Sequence, residues 1–279
     1  MTINANAFTQ ELDQRVHGGK LDIPMLPEVA HKVIQITNDP DSDASQLMKV
    51  IQADQALAAK IMRTANSAAY AATASIVSLQ QAIARLGMNS IRNIALASSL
   101  NARMFKAPGL EGHIENIWQH SLATALWSKE IARGTRSNVE TAFLCGLLGS
   151  IGVPIMLQEV VDIAKQENLM DNVELIMDIT RELAPDAARI ALESWKMPAI
   201  VTDAITHKMN YKSATVGKEL AMIISAASHF ADVMCTEYPE IEDLKRIPVL
   251  AVLNLYPDEV DAILMKAPAV REALEALRA

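Results

Sequence analysis

Candidate residues for metal or acid–base chemistry in this chain include His120, His207, His229 and Asp232. Imidazole and carboxylate groups bind divalent cations, and a bound cation lowers the pKa of a coordinated water toward neutrality. Catalytic sites of this kind usually supply three or more protein ligands. His120 and His207, even with Asp232, would form a poor metal site. A hydrogen-bonded imidazole inside the fold is the alternative interpretation of His120, and an ordinary helix residue that of His207.

Nucleophilic chemistry has no stronger candidate. The cysteines, Cys145 and Cys235, lie far apart in apolar segments, so neither a disulfide framework nor a CxxC motif is available. A thiol in a buried apolar helix lacks the accessible, electropositive setting of a reactive cysteine. The chain also contains no GxSxG elbow, HExxH pair or Walker sequence. We therefore predict no catalytic residue, no bound metal and no cofactor.

The charge of the chain is unevenly distributed. The net charge is −8, which argues against a general polyanion binder and makes nucleic-acid binding an unfavoured function. Between residues 55 and 106, however, there is no acidic residue, and six basic ones occur: Lys60, Arg63, Arg85, Arg92, Arg103 and Lys106. These cations either form an anion-binding face or lie scattered and paired with acidic groups elsewhere.

The elements that must position these residues are predicted to be helices. The chain is 51% hydrophobic, with 10 glycines and 4% aromatic residues, and this composition favours an all-α fold. We expect an N-terminal tail over 1–19, a domain over 20–235 in two helical lobes with a boundary near 106–112, and a C-terminal helical extension over 236–279. No segment approaches about 20 uninterrupted apolar residues, and no signal peptide is evident, so we expect a cytoplasmic protein without membrane contact.

Several helix ends can be assigned from local chemistry. Asp43, Asp54 and Asn138 stand where N-cap side chains belong. The segment Ser78-Leu-Gln-Gln81 fits a capping box at the start of a helix. Gly87 stands at the C′ position, just past the end of that same helix.

Five ordered segments resemble one bacterial family. They are Ile23-Pro-Met-Leu-Pro-Glu-Val29, Val50-Ile-Gln-Ala-Asp-Gln-Ala-Leu57, Ala65-Asn-Ser-Ala-Ala-Tyr70, Ser78-Leu-Gln-Gln-Ala-Ile83, and Arg85-Leu-Gly87 followed by Ile91-Arg-Asn93. Together they resemble the HDOD domain, a relative of the HD-domain phosphohydrolases. The resemblance implies an all-helical domain of bacterial signalling proteins that generally lacks the hydrolase activity of its relatives.

The resemblance also locates a degenerate metal site. His120 in Trp118-Gln-His120-Ser121 corresponds to the first histidine of HD enzymes, and Gly149-Ser150 in the segment GLLGSIG corresponds to the His-Asp doublet. Glycine offers no donor atom, and a serine hydroxyl is neutral where a hard cation requires a carboxylate. The distal aspartate corresponds to Ser228, or to Asp232 after a shift. Small residues at 149 and 150 are explained by close helix contact.

We therefore expect a non-enzymatic signalling module that docks protein partners, such as a response regulator, a kinase or a cyclic-dinucleotide enzyme. The alternative is a divergent metal-dependent phosphohydrolase or cyclic-dinucleotide phosphodiesterase. The candidate contact residues for a partner are Arg63, Asn66, Tyr70, Arg92 and Asn93. Helix termination is an equally good explanation of Asn66.

Overall fold

The computed structural model describes residues 5–67, 76–100, 104–105, 107–166, 172–235 and 241–278. Within these ranges the regular structure is helical and contains no strand, which confirms the all-α prediction. The helices are α1 Ala5–His17, α2 Glu28–Asn38, α3 Ala44–Gln52, α4 Gln55–Asn66, α5 Leu79–Ser99, α6 Glu111–Thr135, α7 Val139–Leu148, α8 Gly152–Gln166, α9 Val173–Ser194, α10 Ala199–Thr206, α11 Lys218–Cys235, α12 Ile241–Leu244, α13 Pro248–Val252, α14 Pro257–Leu264 and α15 Ala267–Arg278. A 3₁₀ turn, Lys208–Asn210, follows α10.

Two apolar cores divide the helices into two lobes that meet inside α5. The residues of α5 up to Ala95 belong to the core of the N-terminal lobe, which α3, α4 and Val33 of α2 complete, whereas Ala30 and Ile34 of α2 belong to the other core. Leu96 and Leu100 belong to the core of the C-terminal lobe. Most of α5 therefore lies in the first core and its last residues lie in the second, and the lobe boundary near 106–112 stays a prediction.

The predicted N-cap side chains are present, but the capping box is incomplete because the side chain of Gln81 accepts from the N–H of Val77, at 3.1 Å, and not from that of Ser78. Asp43, Asp54 and Asn138 each accept a hydrogen bond from a backbone N–H of the first helical turn, at 2.9, 3.0 and 2.9 Å. Ser78 accepts in the same way from the N–H of Gln81 at 3.2 Å. Gly87 has φ 78° and ψ 161°, so α5 is two helical segments joined at a residue whose backbone conformation favours glycine.

The N-terminal segment is attached to the C-terminal lobe through α1. Helix α1 packs against α8 and α9, and Leu12 and Val16 are buried. Arg15 forms an ion pair with the buried carboxylate of Glu159 at 2.9 Å. The other oxygen of Glu159 accepts from the N–H of Asp22 at 3.0 Å.

The C-terminal extension covers both lobes. Helices α12 and α13 pack on α11, and α14 packs on α6. Helix α15 contacts α4 and α5 of the N-terminal lobe and α6 of the C-terminal lobe.

Two glycines allow helices of the C-terminal lobe to approach closely. A Cβ atom at Gly146 would lie 2.6 Å from Cα of Ala125 in α6, and one at Gly152 would lie 1.9 Å from the carbonyl oxygen of Ala184 in α9. The stretch Val139–Lys165 is long and apolar enough to cross a membrane. It forms two helices, however, and 83% of its most apolar window is buried in the protein, as in a core.

Candidate functional site

The candidate site lies where α6, α11, the α7–α8 turn and the 3₁₀ turn after α10 converge. Helix α6 carries His120, α11 carries Ser228 and Asp232, the α7–α8 turn carries Gly149 and Ser150, and the 3₁₀ turn begins with Lys208. We refer to His120, Ser150, Lys208 and Asp232 as the His120 cluster.

His120 is paired with Asp232. Nε2 of His120 lies 2.9 Å from Oδ1 of Asp232, and the imidazole is about three-quarters buried. The buried Nε2 has no partner with good hydrogen-bond geometry, so this contact is mainly electrostatic. The imidazole lowers the pKa of Asp232, burial opposes this effect, and the charges of His229 and Lys208 add to it. Asp232 is thus the α11 residue that contacts His120, and Ser228 lies one helical turn earlier on α11.

A lysine contacts Ser150, the residue that the family resemblance aligns with the aspartate of the His-Asp doublet. Nζ of Lys208 donates to Oγ of Ser150 at 3.3 Å. Burial lowers the pKa of Lys208 to about 8, and the negative charge of Asp232 partly offsets that effect. A buried cationic side chain is therefore in contact with this hydroxyl.

Gly149 has a different role from the predicted close helix contact. A Cβ atom added there would meet only the carbonyl oxygens of its own turn, Cys145 at 3.0 Å and Gly146 at 3.2 Å. The close helix contacts are made by Gly146 and Gly152 instead. Gly149 and Ser150 line a cavity of about 260 Å³, together with Lys208 and residues of α8, α9 and α10.

The other two histidines have separate surroundings. Nδ1 of His207 lies 2.9 Å from the backbone oxygen and 3.0 Å from Oδ1 of Asp203, one turn earlier. Asp203 also accepts from the N–H of Gly217 at 2.8 Å and that of Thr215 at 2.9 Å. The ring of His207 is thus held by its own helix. His229 is exposed on α11.

The residues present do not fit the metal that the fold implies. Among the described residues, no three His, Cys, Asp or Glu side chains are grouped so that they could hold an ion. His120 and Asp232 supply two donors, whereas Gly149 supplies none. A cation beside Ser150 would also face the ammonium group of Lys208.

A family comparison identifies the fold that carries this cluster. The HDOD domain matches residues 23–211. The chain belongs to the HDOD family. An uncharacterized protein from Treponema pallidum (strain Nichols) is 24% identical to this HDOD protein over 203 residues, which are 69% of this chain and 39% of that protein. The chain thus spans about two fifths of the length of this curated relative.

Solved structures share the HDOD architecture. A candidate metal-dependent phosphohydrolase from Shewanella amazonensis SB2B superposes with a TM-score of 0.77 at 20% identity, over 97% of this chain and 99% of that one. An HDOD domain protein of unknown function from Geobacter sulfurreducens gives 0.71 at 18% identity, over 98% of both chains. A candidate signal transduction protein from Marinobacter aquaeolei VT8 gives 0.65 at 22%, over 99% of this chain and 67% of that one. These likenesses establish the fold.

Two of the predicted contact residues are buried between the lobes of the HDOD fold. Arg92 and Asn93 are 8% and 2% exposed. Nδ2 of Asn93 donates to the backbone oxygen of Glu140 at 3.0 Å and to its Oε2 at 2.9 Å. Burial lowers the pKa of Arg92, and it lowers that of Lys129 to about 8, while Glu140 opposes both shifts. These groups join α5, α6 and α7 and are not accessible to a partner.

The other contact residues lie at the end of α4. Arg63 and Asn66 are exposed. Nδ2 of Asn66 donates to the carbonyl oxygens of Met62 at 3.0 Å and Ile76 at 2.9 Å, and Oδ1 accepts from the N–H of Ile76 at 2.8 Å. Asn66 therefore ends the helix and binds the chain where it returns. Tyr70 lies outside the described residues.

Proposed function

We propose that this HDOD protein is a non-enzymatic bacterial signal-transduction module of the cytoplasm that regulates another protein by direct contact. The observation that carries the proposal is the ammonium group of Lys208 on the hydroxyl of Ser150. In an HD enzyme, the corresponding doublet would hold a cation. Two like charges a few ångströms apart in a protein repel by several kcal/mol, on the order of 4 for unit charges at 4 Å. The position therefore disfavours a metal twice, by lost donors and by opposing charge.

The experiment is a titration of the protein with Mn²⁺, in which electron paramagnetic resonance measures the concentration of the free ion. We expect the wild-type protein to bind well below one equivalent of Mn²⁺ at about 10 µM free ion, a concentration that would not fill a weak site. The double variant Gly149→His/Ser150→Asp restores both donors of the doublet and is the matched comparison, with Lys208→Ala added to remove the opposing charge. One or two tightly bound equivalents in the wild type, lost in His120→Ala, would overturn the proposal.

The pairing of His120 with Asp232 favours one alternative function. An imidazole 2.9 Å from a carboxylate is a geometry that could orient a base or retain a metal ligand. The alternative is a divergent phosphohydrolase or cyclic-dinucleotide phosphodiesterase. Turnover of a phosphodiester such as bis(p-nitrophenyl) phosphate that disappears in both His120→Ala and Asp232→Asn would establish it.

We propose the end of α4 as the surface that contacts the partner, a response regulator, a kinase or a cyclic-dinucleotide enzyme. Arg63 is exposed there, and Val77 is 79% exposed beside Ile76, which Asn66 binds. A basic group next to an exposed apolar side chain suits an acidic surface with an apolar centre. Each candidate class would be tested by surface plasmon resonance with purified proteins. We expect Arg63→Glu to weaken binding of the partner at least tenfold. Lys49→Glu, a charge reversal at an exposed position of α3, is the control and should leave binding unchanged. Equal affinities of Arg63→Glu and the wild type would exclude this surface.

A further inference from the structure

The cavity next to the His120 cluster combines two cations with an apolar wall. Lys208 of the 3₁₀ turn and Arg181 of α9 both line it. Ser150 and Thr206 contribute hydroxyl groups. Among the described residues, no carboxylate lines the cavity. The remaining lining residues are apolar or glycine: Gly149, Gly152, Val153, Ala184, Pro185, Ala188, Ile205 and Met209.

Neither cation is neutralised by a buried acid in the cavity. Lys208 donates to a neutral hydroxyl at the long distance of 3.3 Å, and the carboxylate that acts on it, Asp232, is paired with His120. Arg181 pairs with Asp178 at 3.2 Å, but both side chains of this i,i+3 pair are 65% exposed. Exposed pairs of this kind contribute little, about 0–1 kcal/mol, so the guanidinium group is available to a ligand at small cost.

The size and lining of the cavity restrict what it can hold. Its volume of about 260 Å³ is just below the range of about 300–1,000 Å³ for pockets that bind drug-sized ligands. The occupant must therefore be small. Apolar walls with a few convergent polar groups are the usual composition of a small-molecule site, in which the polar groups orient the ligand.

We propose that this cavity binds a small organic anion, with its phosphate or carboxylate group between Lys208, Arg181 and the hydroxyl of Ser150, and its apolar body against α8 and α9. The ammonium group takes the role that a metal has in HD enzymes, attraction of an anionic group, without supplying an activated water. This inference goes beyond the proposed signalling function, since a ligand would be bound whether or not a protein partner is contacted.

Isothermal titration calorimetry on the full chain, with four related probes, tests the proposal. The probes are 1-naphthyl phosphate, 1-naphthoate, neutral 1-naphthol and inorganic phosphate. We expect at least one of the two naphthyl anions to bind at a single site, and naphthol and inorganic phosphate to bind at least tenfold more weakly than that anion. The comparison of the two anions identifies the preferred head group. Equal affinity of naphthol and both anions, or no binding of either anion at 1 mM, would overturn the proposal.

Variants then locate the binding site. Lys208→Met keeps the length of the side chain without its charge and should weaken anion binding at least tenfold, and Arg181→Gln should weaken it severalfold. Lys212→Met removes an exposed lysine outside the cavity and is the matched control, with no expected change. Circular dichroism confirms that each variant is folded. Unchanged anion affinity in Lys208→Met would refute the assignment of the binding site. If a variant does not fold, the four-probe comparison still tests the proposal, because it uses only the wild-type protein.

Discussion

Gly152→Ala tests the packing that shapes the cavity and brings α8 against α9. The added Cβ atom would lie 1.9 Å from the carbonyl oxygen of Ala184, 2.8 Å from its carbonyl carbon and 2.9 Å from the nitrogen of Ala188. All three atoms belong to the backbone of α9, so no side chain can rotate away. Ordinary van der Waals contact begins near 3.4 Å, and the two helices would therefore have to separate by about 1.5 Å.

The magnitude follows from the loss of contact between these helices. A radial gap of roughly 0.5–1 Å already removes a quarter to a half of the dispersion energy between two atoms. Overpacking in a close-packed core costs about 1–3 kcal/mol, and this clash with rigid backbone lies at or above the top of that range. We expect Gly152→Ala to lower the free energy of unfolding by about 3 kcal/mol or more, and the unfolding temperature by roughly 6–12 °C.

Urea and thermal denaturation followed by circular dichroism measure the effect, and two other glycines provide matched controls. At Gly149 the nearest atoms belong to its own turn, and φ is −56°, so Gly149→Ala should change stability by about 1 kcal/mol or less. Gly112 has nothing within 4 Å of an added Cβ atom, and Gly112→Ala should stabilise by about 0.5 kcal/mol. A loss below about 1 kcal/mol for Gly152→Ala, or a loss equal to that of Gly149→Ala, would refute the contact.

Two further predictions concern the carboxylates of Asp203, which is partly buried, and Glu159, which is buried. Burial alone would raise the pKa of Asp203, but hydrogen bonds from Gly217 and Thr215 and the charge of His207 lower it below 3.8. Its ionised form therefore stabilises the fold above pH 3.8, and this stabilisation is lost as the pH falls through the lowered pKa. Asp203→Asn should cost about 1.5–3 kcal/mol at pH 7, with a difference from the wild type that narrows below pH 4 in urea denaturation; a constant difference would contradict this. Glu159→Gln should weaken the attachment of α1, seen as faster hydrogen exchange confined to α1 at pH 7, and unchanged exchange would exclude the role of this ion pair.

Local features of the fold could be predicted because their causes lie within a few residues. The N-caps at Asp43, Asp54 and Asn138 depend on a side chain and a backbone N–H three positions later, and Gly87 on its own φ and ψ angles. The passage of α5 from one core to the other after Ala95 could not be found in this way, because it depends on which helices pack against each part of α5.

The sequence could predict the missing metal ligands at Gly149 and Ser150, but it could not predict the contact that Lys208 makes there. The family resemblance located His120, Gly149 and Ser150, and it left the choice between Ser228 and Asp232 open. The contact of Lys208 with Ser150 joins residues 58 positions apart, and no sequence period links them. The burial of Arg92 and Asn93 likewise depends on how the lobes meet. The only local indication of this cation was the position of Lys208 directly after His207 in the sequence.

The position of α15 has a mechanical consequence. One face of this helix buries Val270, Leu274 and Leu277, and its contacts extend to α4 and α5 of one lobe and α6 of the other. A rotation of the lobes about the end of α5, where its side chains pass from one core to the other after Ala95, would shear these apolar contacts. The helix lies beyond residue 211, where the HDOD match ends. A change confined to α15 would therefore alter how stiffly the two lobes are joined while every residue of the His120 cluster stays in place.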